Sequence, residues 1–246
     1  MRLLFFFIAI FIAGCSSIPT SRNPLAEWAP SPNHDVRKPI IIVLHYTQQD
    51  SVAESLLTLS TANSQGPVSA HYLIGKDGRR YQLVPDELRA WHAGGGSWGT
   101  ITDLNSASIG IELDNDGQSE FAEAQIASLI ELLEDLCTRW SIPRRQVIGH
   151  SDLAPVRKVD PGPRFPWKRL YDAGFGIWPA DDAPPAPPGF DPWRALAQIG
   201  YPLQDRAAAV RAFHLRFRGR DGDTLDAEDL RILHALTMPA GGESAP

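Results

Sequence analysis

The sequence predicts an α/β (α+β) protein: a mixed β-sheet flanked by helices, followed by a small C-terminal three-helix domain. Three observations predict it. The run Ile40-Ile41-Ile42-Val43-Leu44 is apolar on both faces, as a strand in the middle of a covered sheet must be. Between Ala122 and Trp140, Ile126, Leu129, Ile130, Leu133, Leu136, Cys137 and Trp140 recur at threes and fours, with Glu123, Glu131, Glu134 and Arg139 outside that stripe, so a long amphipathic helix accompanies the sheet. The Pro-rich stretch 180–190 then sets off a last unit, 191–238, whose signals are all helical.

The chain of 246 residues is long enough for one sizeable domain and a small second one, and 43% hydrophobic with 21% charged residues is an ordinary globular balance. A net charge of -6 carries no basic footprint, so nucleic acid is excluded as a partner. Arg2, the apolar run Leu3 to Ile12 and the small residues Ala13-Gly14 read as a signal peptide over 1–14, too short to span a bilayer. Ile12-Ala13-Gly14-Cys15 resembles a lipobox, which makes Cys15 the acylated first residue of the mature chain, and Ser16 after it, rather than Asp, suggests the outer membrane. Several acyl chains would anchor the protein there, facing the periplasm, where one would be marginal. Residues 15–38 are expected as a lipidated tether, and 239–246 as a tail. Cys137, left alone on the helical stripe, is a core residue with no disulfide partner.

In order, Val52, Leu56 and Leu59 have helical spacing, and Ala70 to Ile74 and Arg80 to Val84 flank Gly75-Lys76-Asp77-Gly78, a hairpin signal. Three glycines between Trp91 and Trp98, with Gly99 just after, make a loop that lies across something. Ser108 to Leu113 alternates, with Ile109, Ile111 and Leu113 on one face and Gly110 and Glu112 on the other. Pro143 stops the long helix, and Gln146-Val147-Ile148 is a strand delivering His150. In the last unit, Asp191-Pro192 starts and Gly200 ends one helix; Val210, Phe213 and Phe217 mark a second; Asp226, followed by Leu230, Leu233 and Leu236, opens a third.

The segment Val147 to Pro163 holds an imidazole, an ammonium and a carboxylate (His150, Lys158 and Asp160) in a Pro/Gly-shaped loop, which points to a metal ion. A hydrolytic zinc site needs about three protein ligands. His45, at the C-terminal end of the buried strand, is the best third; by spacing alone His71 or His92 could replace it, although supporting a ligand or contacting the substrate suits both better. Glu112 could equally be a surface carboxylate and Lys158 a solvated lysine. Tyr46 and Trp91 could line a cleft.

His45, Ser69-Ala70-His71-Tyr72 with Asp77-Gly78, Trp91-His92-Ala93-Gly94, Ser108 to Glu112, Gly149-His150-Ser151-Asp152 and Arg157 to Pro163 together resemble the Amidase_2 family of zinc-dependent N-acetylmuramoyl-L-alanine amidases, over about Pro39 to Tyr171. The outer-membrane lipoprotein type is the nearest match, because the lipobox agrees, and Tyr201-Pro202, Val210 to His214 and Phe217-Arg218 resemble a peptidoglycan-binding-like helical domain. The resemblance implies a catalytic domain over 39–179 that hydrolyses the amide between N-acetylmuramic acid and L-alanine in peptidoglycan or muropeptides during cell-wall turnover. It implies His45, His150 and Asp160 as Zn2+ ligands, Glu112 and Lys158 as the catalytic pair, and Tyr46, His71, Trp91 and His92 as substrate contacts, in a protein expected to act as a monomer. The alternatives are a recognition lipoprotein without activity, or a zinc peptidase cutting within the stem peptide.

Overall fold

A computed structural model describes residues 22–37, 39–63 and 66–238; the signal peptide 1–14, the acylation of Cys15 and the tail 239–246 lie outside them. Strands β1 (Glu27–Trp28), β2 (His34–Val36) and β3 (Ile41–Tyr46) precede helix α1 (Val52–Ser60), and the short β4 (Ala62–Asn63) and β5 (Gly66–Pro67) follow it. Then come β6 (Tyr72–Ile74), β7 (Arg80–Gln82), β8 (Leu88–Ala90), α2 (Leu104–Ala107), β9 (Ser108–Leu113), α3 (Glu123–Trp140), β10 (Val147–Gly149), α4 (His150–Leu153) and α5 (Trp167–Asp172). The chain closes with α6 (Pro192–Ile199), α7 (Arg206–Phe217) and α8 (Ala227–Thr237).

Six strands form one sheet in the order β1-β7-β6-β9-β3-β10. β3 runs parallel to both neighbours, β9 and β10, and is apolar on both faces because both are covered. Ile42 and Leu44 meet Ile109, Ile111 and the α3 stripe of Leu129, Leu133, Leu136 and Cys137. Ile41 and Val43 face the other way, onto Ile148, Leu196, Phe213 and Leu233. The hairpin forms as expected, β6 and β7 pairing antiparallel around a turn closed by Gly78 N donating to the Gly75 carbonyl at 2.9 Å. Gly78 has φ +83°, and a Cβ there would lie 2.8 Å from the Ala124 carbonyl, so glycine lets α3 approach the turn.

Two arrangements differ from the sequence expectation. The tether expected over 15–38 gives way to ordered pairing within the described residues: β1 pairs with β7 and β2 with β8, and the buried Asn23 donates to Asp135 of α3 at 2.9 Å. Strands of two and three residues are too short for alternation to show. The C-terminal helices are also not set apart by the Pro-rich stretch, because their apolar side chains complete the second face of the sheet. α7 is buried almost all round, as a helix between two packed layers is. Among the described residues no helix is long and apolar enough to cross a membrane.

Candidate active site

Because β3, β9 and β10 are parallel, their C-terminal ends share one edge of the sheet. The register sets His45 beside Glu112 and Leu44 beside Gly149, so His150 begins α4 next to them. The crevice beyond such strand ends is where open α/β sheets place ligands. Asp160 arrives from the Pro/Gly loop, which is tied down by Ser151 N donating to the Asp160 carbonyl at 2.9 Å.

The three residues converge. His45 Nδ1 and His150 Nδ1 each lie 3.0 Å from Asp160 Oδ2, and one ligand atom from each residue falls within 4.8 Å of the others. The hydrogen-bond pattern fixes both ring tautomers. His150 Nε2–H donates to the Ala93 carbonyl at 2.9 Å, which leaves a lone pair on Nδ1. For His45 the chain is longer. Ser108 Oγ donates to the Leu104 carbonyl and so accepts from His92 Nε2–H at 3.3 Å; His92 Nδ1 is then an acceptor for His45 Nε2–H at 3.0 Å. Two imidazole lone pairs and a carboxylate oxygen aimed at one point repel one another unless a cation sits among them, and two nitrogens with one oxygen are a donor set suited to a divalent metal. Burial, and then the neighbouring His150, push His45 down to about 4, keeping it neutral and able to ligate. Burial opposes ionisation of Asp160, but His150 and the hydrogen bonds outweigh it and hold the carboxyl well below the usual range.

A cavity of about 370 Å³ opens over this point, lined among others by Tyr46, Gln48, Trp91, His92, Glu112, Lys158 and Val159. Glu112 is not the surface carboxylate that strand alternation allowed: its Oε2 is shut away from solvent with no protein hydrogen-bond partner. Burial, reinforced by Asp160, raises its pKa well above the normal range, and the Lys158 charge pulls the other way. Gly110 makes room for the His92 ring, since a Cβ there would lie 2.4 Å from it.

His71 is the one proposed substrate contact that the structure keeps from the cavity. It is wholly buried, Nδ1 accepting from Gly110 N at 2.9 Å and Nε2 donating to the Leu88 carbonyl at 3.0 Å. Both nitrogens are spent on holding strands together, so His71 supports the sheet. His34 and His214 also stand apart from the site: His34 bonds the Ser31 carbonyl, and His214 is enclosed between Gly222 and Asp229.

Sequence reasoning missed the supports. Arg157 clasps the glycine-rich loop through the Ala93 and Gly95 carbonyls, and Ser108 ends the His45 relay. Asp152, bonded by Tyr201 and Arg216, props the turn that carries His150. Arg216 did leave a trace, as a charged residue inside the apolar run Ala212 to Phe217.

Comparison with known proteins agrees with this geometry. Residues 35–163 match the family model described as N-acetylmuramoyl-L-alanine amidase. The chain is 37% identical over 235 residues to N-acetylmuramoyl-L-alanine amidase AmiD of Escherichia coli K12, covering 82% of this chain and 83% of that protein. It is similar to the crystal structure of AmpDh3 from Pseudomonas aeruginosa in complex with anhydromuramic pentapeptide, with TM-score 0.72, 36% identity and coverage of 82% and 92%. It is also similar to E. coli AmiD in complex with the substrate anhydro-N-acetylmuramic acid-L-Ala-D-gamma-Glu-L-Lys, with TM-score 0.71, 34% identity and coverage of 88% and 91%.

Proposed function

As the chain belongs to the N-acetylmuramoyl-L-alanine amidase family, we propose that it hydrolyses the amide between the lactyl group of N-acetylmuramic acid and the first L-alanine of the stem peptide, with zinc held by His45, His150 and Asp160. What carries the assignment is the meeting of those three residues beside the half-buried Glu112 in the lining of one cavity. Zinc bound there would polarise the substrate carbonyl and bring the pKa of a bound water to about 7.

The chain's own groups supply the rest. Glu112, a carboxyl whose pKa burial raises and which is therefore a stronger base than an exposed carboxylate, takes the proton of the attacking water and returns it to the departing nitrogen. Without that return an amide nitrogen is too poor a leaving group. Lys158, whose charge is felt by both Glu112 and His45, offsets the negative charge that grows on the carbonyl oxygen; removing such a donor typically costs about 3–4 kcal/mol of barrier. Tyr46, Trp91 and His92 line the cavity as substrate contacts. The ligands named for two structural relatives support muropeptides, including anhydromuramyl ones, as the substrate class. The lipobox-like Ile12 to Cys15 supports acylation at Cys15 and a site of action on the periplasmic face of the outer membrane.

Digestion of purified muropeptides with and without a chelator, read by mass spectrometry, tests the assignment. The expected products are free muramyl sugar and intact stem peptide, lost when metal is removed. A cut within the stem would make the protein a peptidase, and no product would make it a recognition protein.

A further inference from the structure

His150 opens α4, a helix of four residues that is too short to hold its own geometry. Asp152, wholly buried two residues on, closes that turn by accepting from Gly149 N at 2.8 Å. The C-terminal unit holds the carboxylate from the far side, through Tyr201 in the α6–α7 loop and Arg216 of α7. Tyr201 donates its hydroxyl to Oδ1 at 2.7 Å, and Arg216 donates Nη1 to Oδ2 at 2.6 Å. Arg216 is buried too: its guanidinium lies 4.3 Å from the Trp167 ring centre, and Nη2 donates to the Val147 carbonyl of β10 at 3.3 Å.

An ion pair buried this deeply seldom stabilises a fold more than apolar residues of the same volume would. What it adds is direction, because a guanidinium fixes a carboxylate in one orientation. The same region also pins the glycine-rich loop. Gly99 N donates to the Gly200 carbonyl at 2.8 Å, and Trp98 meets Tyr201 edge to face at 5.5 Å. That loop provides the Ala93 carbonyl for His150 and the His92 ring for His45.

We infer that the C-terminal helical unit is a brace for the metal centre, with Arg216 and Tyr201 as positioning residues that hold Asp152, and through it the α4 turn, so that His150 Nδ1 stays aimed at Asp160 and His45. This rests on the reading of those three residues as a zinc site.

Zinc affinity of the full chain, measured by competition with a chromophoric chelator well below the unfolding temperature, tests it. Arg216→Met should weaken zinc binding about 10–100-fold, the usual effect of losing a group that orients a ligand, and Arg216→Lys should recover part of the loss. Leu233→Ala, which opens a cavity in the same helical unit but removes no hydrogen bond to Asp152, should lower the unfolding temperature and leave zinc affinity unchanged. Unaltered affinity in Arg216→Met, or an equal loss in Leu233→Ala, overturns the inference. If Arg216→Met does not fold, Tyr201→Phe decides by the same measurement, since it removes one hydrogen bond and no charge: a several-fold weaker affinity supports the brace and an unchanged one overturns it. A wild-type chain that binds no zinc would overturn the metal-site reading itself, an outcome distinct from an unaffected variant.

Discussion

Glu112 and His92 differ in how their surroundings have prepared them. Glu112 has its acid form favoured by enclosure and nothing in the protein to bond its Oε2, so a proton is its natural cargo. Glu112→Gln should therefore keep its zinc while hydrolysis drops about 10²–10⁴-fold, the range for a lost proton carrier. Metal content and turnover measured on one preparation check this, and undiminished turnover removes Glu112 from the mechanism. His92 is held at both ends by His45 and Ser108, and so sets which nitrogen of His45 is bare. His92→Phe should lower zinc affinity by about 10-fold or more, and Ser108→Ala by less, read by chelator competition; equal affinities would show the relay to be idle. At this scale the sequence disclosed much. His45 ends an apolar strand and Asp160 sits in a Pro/Gly turn, features visible in one dimension. His71 was misleading because its nitrogens are consumed by the Gly110 and Leu88 backbone, and no spacing rule reveals which groups a fold will bring to a ring.

Among elements, β9 bears the tightest constraint. Its outward face must seat the His92 ring where any Cβ at position 110 would intrude. Gly110→Ala should cost about 1–3 kcal/mol in stability, as overfilled sites do, and should weaken zinc binding as well by tilting His92. Denaturant unfolding and chelator competition on the same variant check both, and wild-type values would mean the ring yields freely. Long periodic elements were legible, α3 and β9 lying where their patterns put them, and the Asp77-Gly78 turn gave away the short hairpin strands β6 and β7. β1 and β2 were not, since pairs and triplets of residues carry no period and are recruited by the strands they meet.

Across the whole molecule, burying several imidazoles together makes stability depend on acidity. His45 titrates at about 4 in the folded, metal-free chain against 6.5 when exposed, first because it is buried and then because His150 is near. Between those values the unfolded chain binds the extra proton, so folding is penalised as acid is added. The contribution is fully present above pH 6.5 and lost by about pH 4, and amounts to about 3 kcal/mol. His71 and His92, pushed well below their ordinary value by burial, steepen the same slope. Unfolding of metal-free protein at about pH 7 and about pH 4.5 should show the drop, and a flat profile would contradict it. Stacking of the C-terminal helices on the sheet was hidden from the sequence, because an amphipathic face shows that a helix is covered but not by what.

The side-by-side placement of His45 and Glu112 on adjoining parallel strands has a practical corollary. Their separation is governed by the interstrand spacing of roughly 4.8 Å, a repeat the backbone itself maintains. Cavity residues Thr47, Gln48, Gln49, Thr58, Leu59 and Val68 lie outside that framework. Grafting other segments there would change which peptide enters while leaving Glu112 and His45 in step, which makes this sheet edge a chassis for redirecting amide hydrolysis.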